Sequence, residues 1–386
     1  MGKNGFTIFD CDGHLAEPRD LWDRYIDPKF RDRANATLSI YDFPSGSSGF
    51  MLEGRCVQKG VEAVTFAGKD PASFKGRYWE QGEPAAFDPK KRVKAMDSEG
   101  ISMAVVYPSF GGVLGGVSDA TLAYEMAKAY NNWATDFCKQ ANAKRVYGVA
   151  IVPLQDVGLA ITEVRRAVKE LGFRAVMVRP NLYRGLSLEH PHFDPFWREC
   201  EALDVAVGYH PFPFPDVEGV NTMLGDLATL PGTKSMMGDM LALPLDNMIT
   251  MARLMFGGVF DRFPKMRSAF LESNGSWAAM LIDRMDKRFN RGQTYQKQIK
   301  TPPSEILERQ CYIALDGDEK ALPYVGKLIG ENVIIWASDF PHFDGHFPGA
   351  AAEAVEGSEK LGRRAQQKFL GENASRLYKI AMPVKK

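Results

Sequence analysis

The hydrophobic pattern of this chain runs in blocks. Short compact apolar runs at Phe6–Cys11, Met103–Tyr107, Val146–Val152, Ala175–Val178, Ala206–Tyr209, Met266–Leu271, Cys311–Leu315 and Val333–Ala337 read as strands. Between them, Ala120–Gln140, Asp156 to Leu171, Pro195–Leu203, Leu245–Phe256, Trp277–Arg291 and Glu319–Leu328 carry apolar residues at helical spacing, and the stretch after Ala337 is helical. Asp156 stands where a helix cap belongs, Gly172, Gly257–Gly258 and Gly330 act as stops, and the helix from Trp277 is basic in its last turn. Strands alternating with helices predict parallel βαβ units, and continuous apolar strands fit a sheet covered on both faces. A (β/α)8 TIM barrel accounts for eight such strands better than an open sheet.

Two stretches break the rhythm. Residues 27–89 hold Gly, Pro and Ser clusters (FPSGSSG) with mixed aromatic residues, and 211–244 is rich in Pro, Gly and Met. Both read as insertions, after strand 1 and strand 5, in a single barrel spanning 1–386; long loops in that position are usually lids or binding loops. Composition narrows the picture further. With 48 Lys+Arg against 48 Asp+Glu, the chain has no net charge to attract nucleic acid or an anionic membrane. The five cysteines, Cys11, Cys56, Cys138, Cys200 and Cys311, form no CxxC pair and no disulfide framework. With no signal-peptide pattern and no membrane-length apolar run, a cytoplasmic enzyme is expected.

The chemistry lies at the strand ends. The first ends Asp10-Cys11-Asp12-Gly13-His14, the fourth Arg179-Pro180-Asn181, the fifth at His210, the sixth Glu272-Ser273-Asn274 and the eighth Ser338-Asp339-Phe340-Pro341-His342. A barrel brings all these C-terminal ends to one mouth. Carboxylates and imidazoles converging there need a compensating cation, and a divalent metal supplies it. A lone His at a strand end is ordinarily a hydrogen-bonded structural residue, and a lone Asp a helix cap. Five such ends in barrel order favour a metal site. Glu189-His190-Pro191-His192 repeats the HxH string but reads as loop. Gly111, Gly112, Gly115 and Gly116 match no phosphate-binding motif. Met236, Met237 and Met240 read as packing under a lid.

At these residues the chain resembles the amidohydrolase-related branch of the amidohydrolase superfamily, the group of aminocarboxymuconate-semialdehyde and resorcylate decarboxylases. FDCDGHLAEPRDLW, VRPN, FDPFW…VAVGYHP, FLESNGSW, WASDFPH and FLGENASRLY carry the resemblance in order along nearly the whole chain. It implies a metal-dependent barrel. The first position of the superfamily's HxH is Asp12 here, His14 keeps the second, His210 is the fifth-strand His, Glu272 stands where a His is usual, and Asp339 is the final Asp. Arg179 rules out a carboxylated-lysine bridge. The expected metal ligands are therefore Asp12, His14, His210, Glu272, Asn274, Asp339 and His342, holding one or two ions. Two imidazoles exchanged for carboxylates move preference from zinc toward iron or manganese.

The first expectation is a metal-dependent hydrolase of an ester, thioester or amide, with Asp339 or His210 moving the proton. Arg179 and Asn181 are candidate substrate contacts, with a rim ion pair the equal alternative for Arg179. Trp277 and Phe340 are candidate apolar walls, Trp277 serving as well in ordinary packing. Non-oxidative decarboxylation with Asp339 protonating the carbon, oxygen chemistry at dinuclear iron, and a non-catalytic barrel subunit are the alternatives. The expected partners are a small-molecule substrate and a second copy of the chain or a related subunit.

Overall fold

The structure is a computed structural model that describes residues 2–69, 78–212, 238–291 and 299–383. The barrel strands are β1 (Ile8–Leu15), β5 (Ile101–Pro108), β6 and β7 (Val146–Gly148 and Ala150–Ile151), β8 (Ala175–Val178), β9 (Ala206–Tyr209), β10 (Ser268–Phe270), β11 (Cys311–Leu315) and β12 (Ile334–Trp336). Each pairs in parallel with its neighbour, in the order β1-β5-β6 and β7-β8-β9-β10-β11-β12. The run read as one strand, Val146–Val152, hands over from one partner to the next. Val149 N–H still reaches Val106 O at 3.0 Å, while Ala150 and Ile151 pair with Val176 and Met177. Past β12 the chain closes onto β1, where Asp339 N–H donates to Asp12 O at 3.0 Å and His14 N–H to Phe340 O at 2.7 Å. The result is a (β/α)8 barrel, with one apolar core running from Phe6 to Ile380.

The helices follow their sequence signals. Asp156 accepts the Leu159 N–H, and Asp119 caps the long helix Ala120–Asn142 through Thr121 and Leu122. The helix expected from Glu319 begins instead at Leu322. Glu319 is drawn away because its carboxylate accepts the N–H groups of Gly275, Ser276 and Asp316.

The first insertion is more ordered than its composition suggests. An antiparallel sheet of β2 (Leu38–Phe43), β3 (Ser47–Leu52) and β4 (Arg55–Lys59) occupies its middle, and the FPSGSSG cluster forms the β2–β3 turn, with Gly46 at φ 80°. The helix Pro89–Glu99 follows, capped by Asp88. In the second insertion, Met236 and Met237 lie outside the described residues, and Met240 is exposed rather than packed. No helix among the described residues is long and apolar enough to cross a membrane.

Candidate metal centre

The ends of β1, β9, β10 and β12 meet at one point. Asp12, His14 and His210 are buried, while Glu272 and Asp339 open partly to a cavity of about 400 Å³. His210 Nε2 lies 2.9 Å from Glu272 Oε2, 3.2 Å from His14 Nε2 and 3.6 Å from Asp12 Oδ2. His14 Nε2 lies 3.2 Å from both Glu272 Oε2 and Asp339 Oδ1. His342 stacks on His14 with ring centroids 4.1 Å apart, and its Nδ1 is 2.8 Å from Asp339 Oδ1.

Backbone contacts fix which imidazole nitrogen faces inward. His14 Nδ1 is 3.1 Å from Pro108 O and His210 Nδ1 is 3.0 Å from Pro211 O. A carbonyl only accepts, so both Nδ1 atoms carry a proton and both Nε2 atoms turn to the cluster. Tyr107 supports this arrangement from below. Its ring stacks on His210 at 5.2 Å, and its hydroxyl is held by Tyr378, which in turn donates to Cys11 O. Three positions at the mouth adopt left-handed backbone without being glycine: Glu272 (φ 42°), Asn274 (φ 50°) and Asp339 (φ 52°). Strain of this kind, on the order of 1–3 kcal/mol per residue, persists where the surroundings impose it and concentrates at functional sites.

This donor set needs a cation. Asp12 Oδ1, Glu272 Oε2 and Asp339 Oδ1 are buried against imidazole nitrogens at 2.8–3.7 Å without a well-formed hydrogen bond, and His342 Nε2 is buried with none among the described residues. Protons respond to the same demand. Burial alone would lower His210, yet Glu272 and Asp12 outweigh it and push it up to about 9. His14 rises well above the usual imidazole range under Asp339, Glu272 and Asp12, again against burial. Burial works to raise Glu272 and Asp339, but the facing imidazoles outweigh it and hold both below the usual carboxylate range. Two overlapping groups have metal-ligand spacing, Asp12–His14–His210 and His14–Glu272–Asp339–His342, with ligand atoms within 4.8 Å of one another in each. The residues fit a divalent ion.

The other candidates lie outside these ligand groups, although Asn274 lines the same cavity and Phe212 links Arg179 to the His210 ring. Asn274 is exposed and its amide donates to Asp316 Oδ2 at 2.6 Å. Trp277 donates its indole N–H to Ser273 O and Asn274 O and packs on Phe270, which makes it a cap on the β10 turn. Phe340 lies behind the ligands, under the Arg92 guanidinium and against Phe347. Arg179 is buried beside Phe212, with Nη2 3.3 Å from Phe212 O, and Asn181 is buried next to it. Phe212 in turn fills the space over Gly112, where a Cβ would meet its ring at 2.1 Å. That close approach explains a glycine in the loop after β5. His190 Nδ1 accepts the His192 N–H in a loop turn.

Three buried groups had no role assigned from the sequence: Glu17, Arg92 and Asp10, the last named only as part of the first strand's end. Glu17 accepts the N–H groups of Ser109, Phe110 and Gly111, which ties β1 to the loop after β5. Asp10 and Arg92 are buried and hydrogen-bond to the segments that carry the ligands. A carboxylate in an apolar strand and an arginine in a KKRVK run gave no signal of their own; only their burial reveals them.

A parallel (β/α)8 barrel with a carboxylate–imidazole cluster at its C-terminal mouth defines a class of metal-site barrel enzymes. The chain belongs to the amidohydrolase family, whose model matches residues 9–380, within the superfamily branch of aminocarboxymuconate-semialdehyde decarboxylase. Among curated relatives, the 2-amino-3-carboxymuconate-6-semialdehyde decarboxylase of Dictyostelium discoideum is 24% identical over 78% of this chain and 79% of its own. The gamma-resorcylate decarboxylase of Rhizobium sp. (strain MTP-10005) is 25% identical over 85% of this chain and 99% of its own. Among solved structures, an amidohydrolase of Mycobacterium avium subsp. paratuberculosis superposes with a TM-score of 0.77 at 23% identity, over 97% of this chain and 100% of its own. A dihydroxybenzoic acid decarboxylase of Polaromonas sp., solved with bound manganese and 2-nitroresorcinol, gives 0.66 at 19% identity, over 97% of each chain. These relatives correct the expectation of hydrolysis. The activities named for these curated relatives are decarboxylations, and a shared barrel and metal set had left the two reactions indistinguishable by residue type.

Proposed function

We propose that this chain is a metal-dependent non-oxidative decarboxylase of a small carboxylate with a neighbouring hydroxyl or carbonyl group. The observation that carries the reading is the near full-length likeness to a gamma-resorcylate decarboxylase, joined to a buried donor set that calls for a cation. In the reaction the carbon–carboxylate bond breaks, its electron pair stays on the carbon, carbon dioxide leaves, and a proton takes its place.

Asp12, His14, His210 and Asp339 would hold the ion, with Glu272 completing the set. His14 Nε2 belongs to both ligand groups, and one imidazole lone pair binds one ion, which favours a single metal per chain. The hard, carboxylate-rich set and the manganese in a structural neighbour favour manganese. When bound, the ion would supply Lewis-acid charge against the substrate's carboxylate and adjacent oxygen. The chain's own part is positioning and proton delivery. His210, with Nδ1 committed to Pro211 O, presents a lone pair to the ion and is assigned to the ligands rather than to proton transfer. Asp339, held at low proton affinity and paired with His342, passes a proton from that imidazole to the carbon. Two copies of the chain form the assembly in this reading. Tyr324 and Leu328, one turn apart on the helix Leu322–Ile329, stay 61% and 75% exposed and offer an apolar patch for it.

The reaction is tested in D2O with manganese-loaded protein and a panel of ortho-hydroxybenzoates that includes 2,6-dihydroxybenzoate. The expected product carries one deuterium at the carbon that bore the carboxylate, and a chelator abolishes its formation. Products that all keep their carboxylate count against the proposal.

A further inference from the structure

We propose that Asp10 and Arg92 are positioning residues for the metal centre, forming a buried charged brace that sets the spacing between the β1 ligands and Asp339. The inference rests on the metal-site reading above. Both side chains are about 1% exposed and lie behind the ligands, beside a separate void of about 20 Å³ rather than in the large cavity. They therefore act through the ligands and touch no substrate.

The brace has two arms. The Asp10 carboxylate accepts Ser338 N–H at 2.9 Å and Ser338 Oγ–H at 2.6 Å, and Ser338 Oγ accepts Phe340 N–H at 3.1 Å. This pins the residues on either side of Asp339. Arg92, from the helix Pro89–Glu99, donates Nη1 to His14 O at 2.9 Å, reaches Phe340 O at 3.5 Å with both Nη atoms, and lies over the Phe340 ring at 4.7 Å. One guanidinium thus spans the backbone of a β1 ligand and the backbone next to Asp339. The two arms meet over Gly13, where a Cβ would sit 2.5 Å from Arg92 Nη2 and 3.1 Å from Asp10 Oδ2. No side chain fits there without displacing the guanidinium.

Both side chains are buried, and each is satisfied by hydrogen bonds to the segments that carry the ligands. A fold in need of packing alone is served better by apolar groups, since taking charges out of water is costly. Directional hydrogen bonds to two ligand-bearing segments are what this pair adds. Groups that orient metal ligands from behind are typically worth about 10–100-fold in metal affinity.

The test is manganese binding to chelator-stripped protein, read as free Mn2+ by electron paramagnetic resonance, with thermal unfolding of the metal-free protein alongside. Asp10→Asn, Ser338→Ala and Gly13→Ala are each expected to weaken Mn2+ binding by about 10–100-fold in protein that remains folded. Asp10→Asn combined with Ser338→Ala is expected to lose little more than Asp10→Asn alone, because both cut the same arm. Ser338→Ala, the mildest change, keeps the test decisive where another variant fails to fold. Folded Ser338→Ala and Asp10→Asn proteins that bind Mn2+ like the parent overturn the brace and leave the metal centre standing. A parent protein that binds no Mn2+ overturns the metal reading itself.

Discussion

At the residue scale, two imidazoles so alike in sequence are separated by what holds their Nδ1 atoms. His14 and His210 give theirs to backbone carbonyls and face the cluster with Nε2, whereas His342 gives its own to Asp339. Ligands and proton carrier are thereby told apart. Asp12→Ala is expected to remove bound metal and all turnover, seen as metal content below about 0.1 ion per chain, because the remaining donors keep their repulsion and lose an anionic arm. Asp339→Asn is expected to lower turnover by about 10²–10⁴-fold. His342→Gln, by contrast, should slow turnover while leaving metal content near that of the parent. Equal metal loss in the Asp12 and His342 variants would assign His342 to the ligands. The meeting of Asp12, His14, His210 and Asp339 was legible because each lies in or just past the end of an apolar strand run. Asn274 was misleading for the same reason: it follows β10, yet its left-handed backbone turns the amide to Asp316. Arg92 was illegible because an arginine among lysines reads as a solvated face.

At the scale of elements, the barrel strands announced themselves and the first insertion did not. Strands buried on both faces leave an unbroken apolar run, whereas β2 and β4 are half-exposed, and their polar residues blur the alternation. The helix Pro89–Glu99 (PKKRVKAMDSE) was hidden too, since two of its three buried residues are Arg92 and Glu99. Yet this segment does more than cover the barrel. Glu99 accepts the N–H groups of Gly349 and Ala351, and Arg92 reaches Phe340 O, so one helix ties both ends of the loop after β12. The loop after β5 depends in the same way on Glu17. Glu17→Gln sets an amide N–H against at least one of three backbone donors. The expected destabilisation is about 1–3 kcal/mol in denaturant unfolding, with the denaturant slope unchanged. A change below about 0.5 kcal/mol would mean that water serves those donors equally well.

For the whole molecule, charge balance and metal binding are one subject. An overall neutral chain concentrates carboxylates at one mouth, and protons compete there with the cation. His210 is raised to about 9 in the folded metal-free protein, against about 6.5 for an unfolded chain. Its stabilising share is therefore complete below pH about 6.5 and is lost as pH rises through about 9. The metal-free protein should lose thermal stability over that window. The manganese-loaded protein should not, because the ion replaces the protons, and its affinity should rise with pH. At free metal of about 100 times Kd the loaded form gains about 2.7 kcal/mol. Parallel melting curves for loaded and stripped protein across pH 6.5–9.5 would contradict this linkage.

In the proposed reaction the ion at this mouth serves loss of a carboxylate. The decisive measurement is anaerobic headspace carbon dioxide with manganese-loaded protein and the ortho-hydroxybenzoate panel. Carbon dioxide is expected in equal amount to substrate consumed, without oxygen, stopped by chelation, restored by Mn2+ and absent in Asp12→Ala. Substrate consumed with no carbon dioxide released, or release unchanged by chelation and by Asp12→Ala, would contradict it.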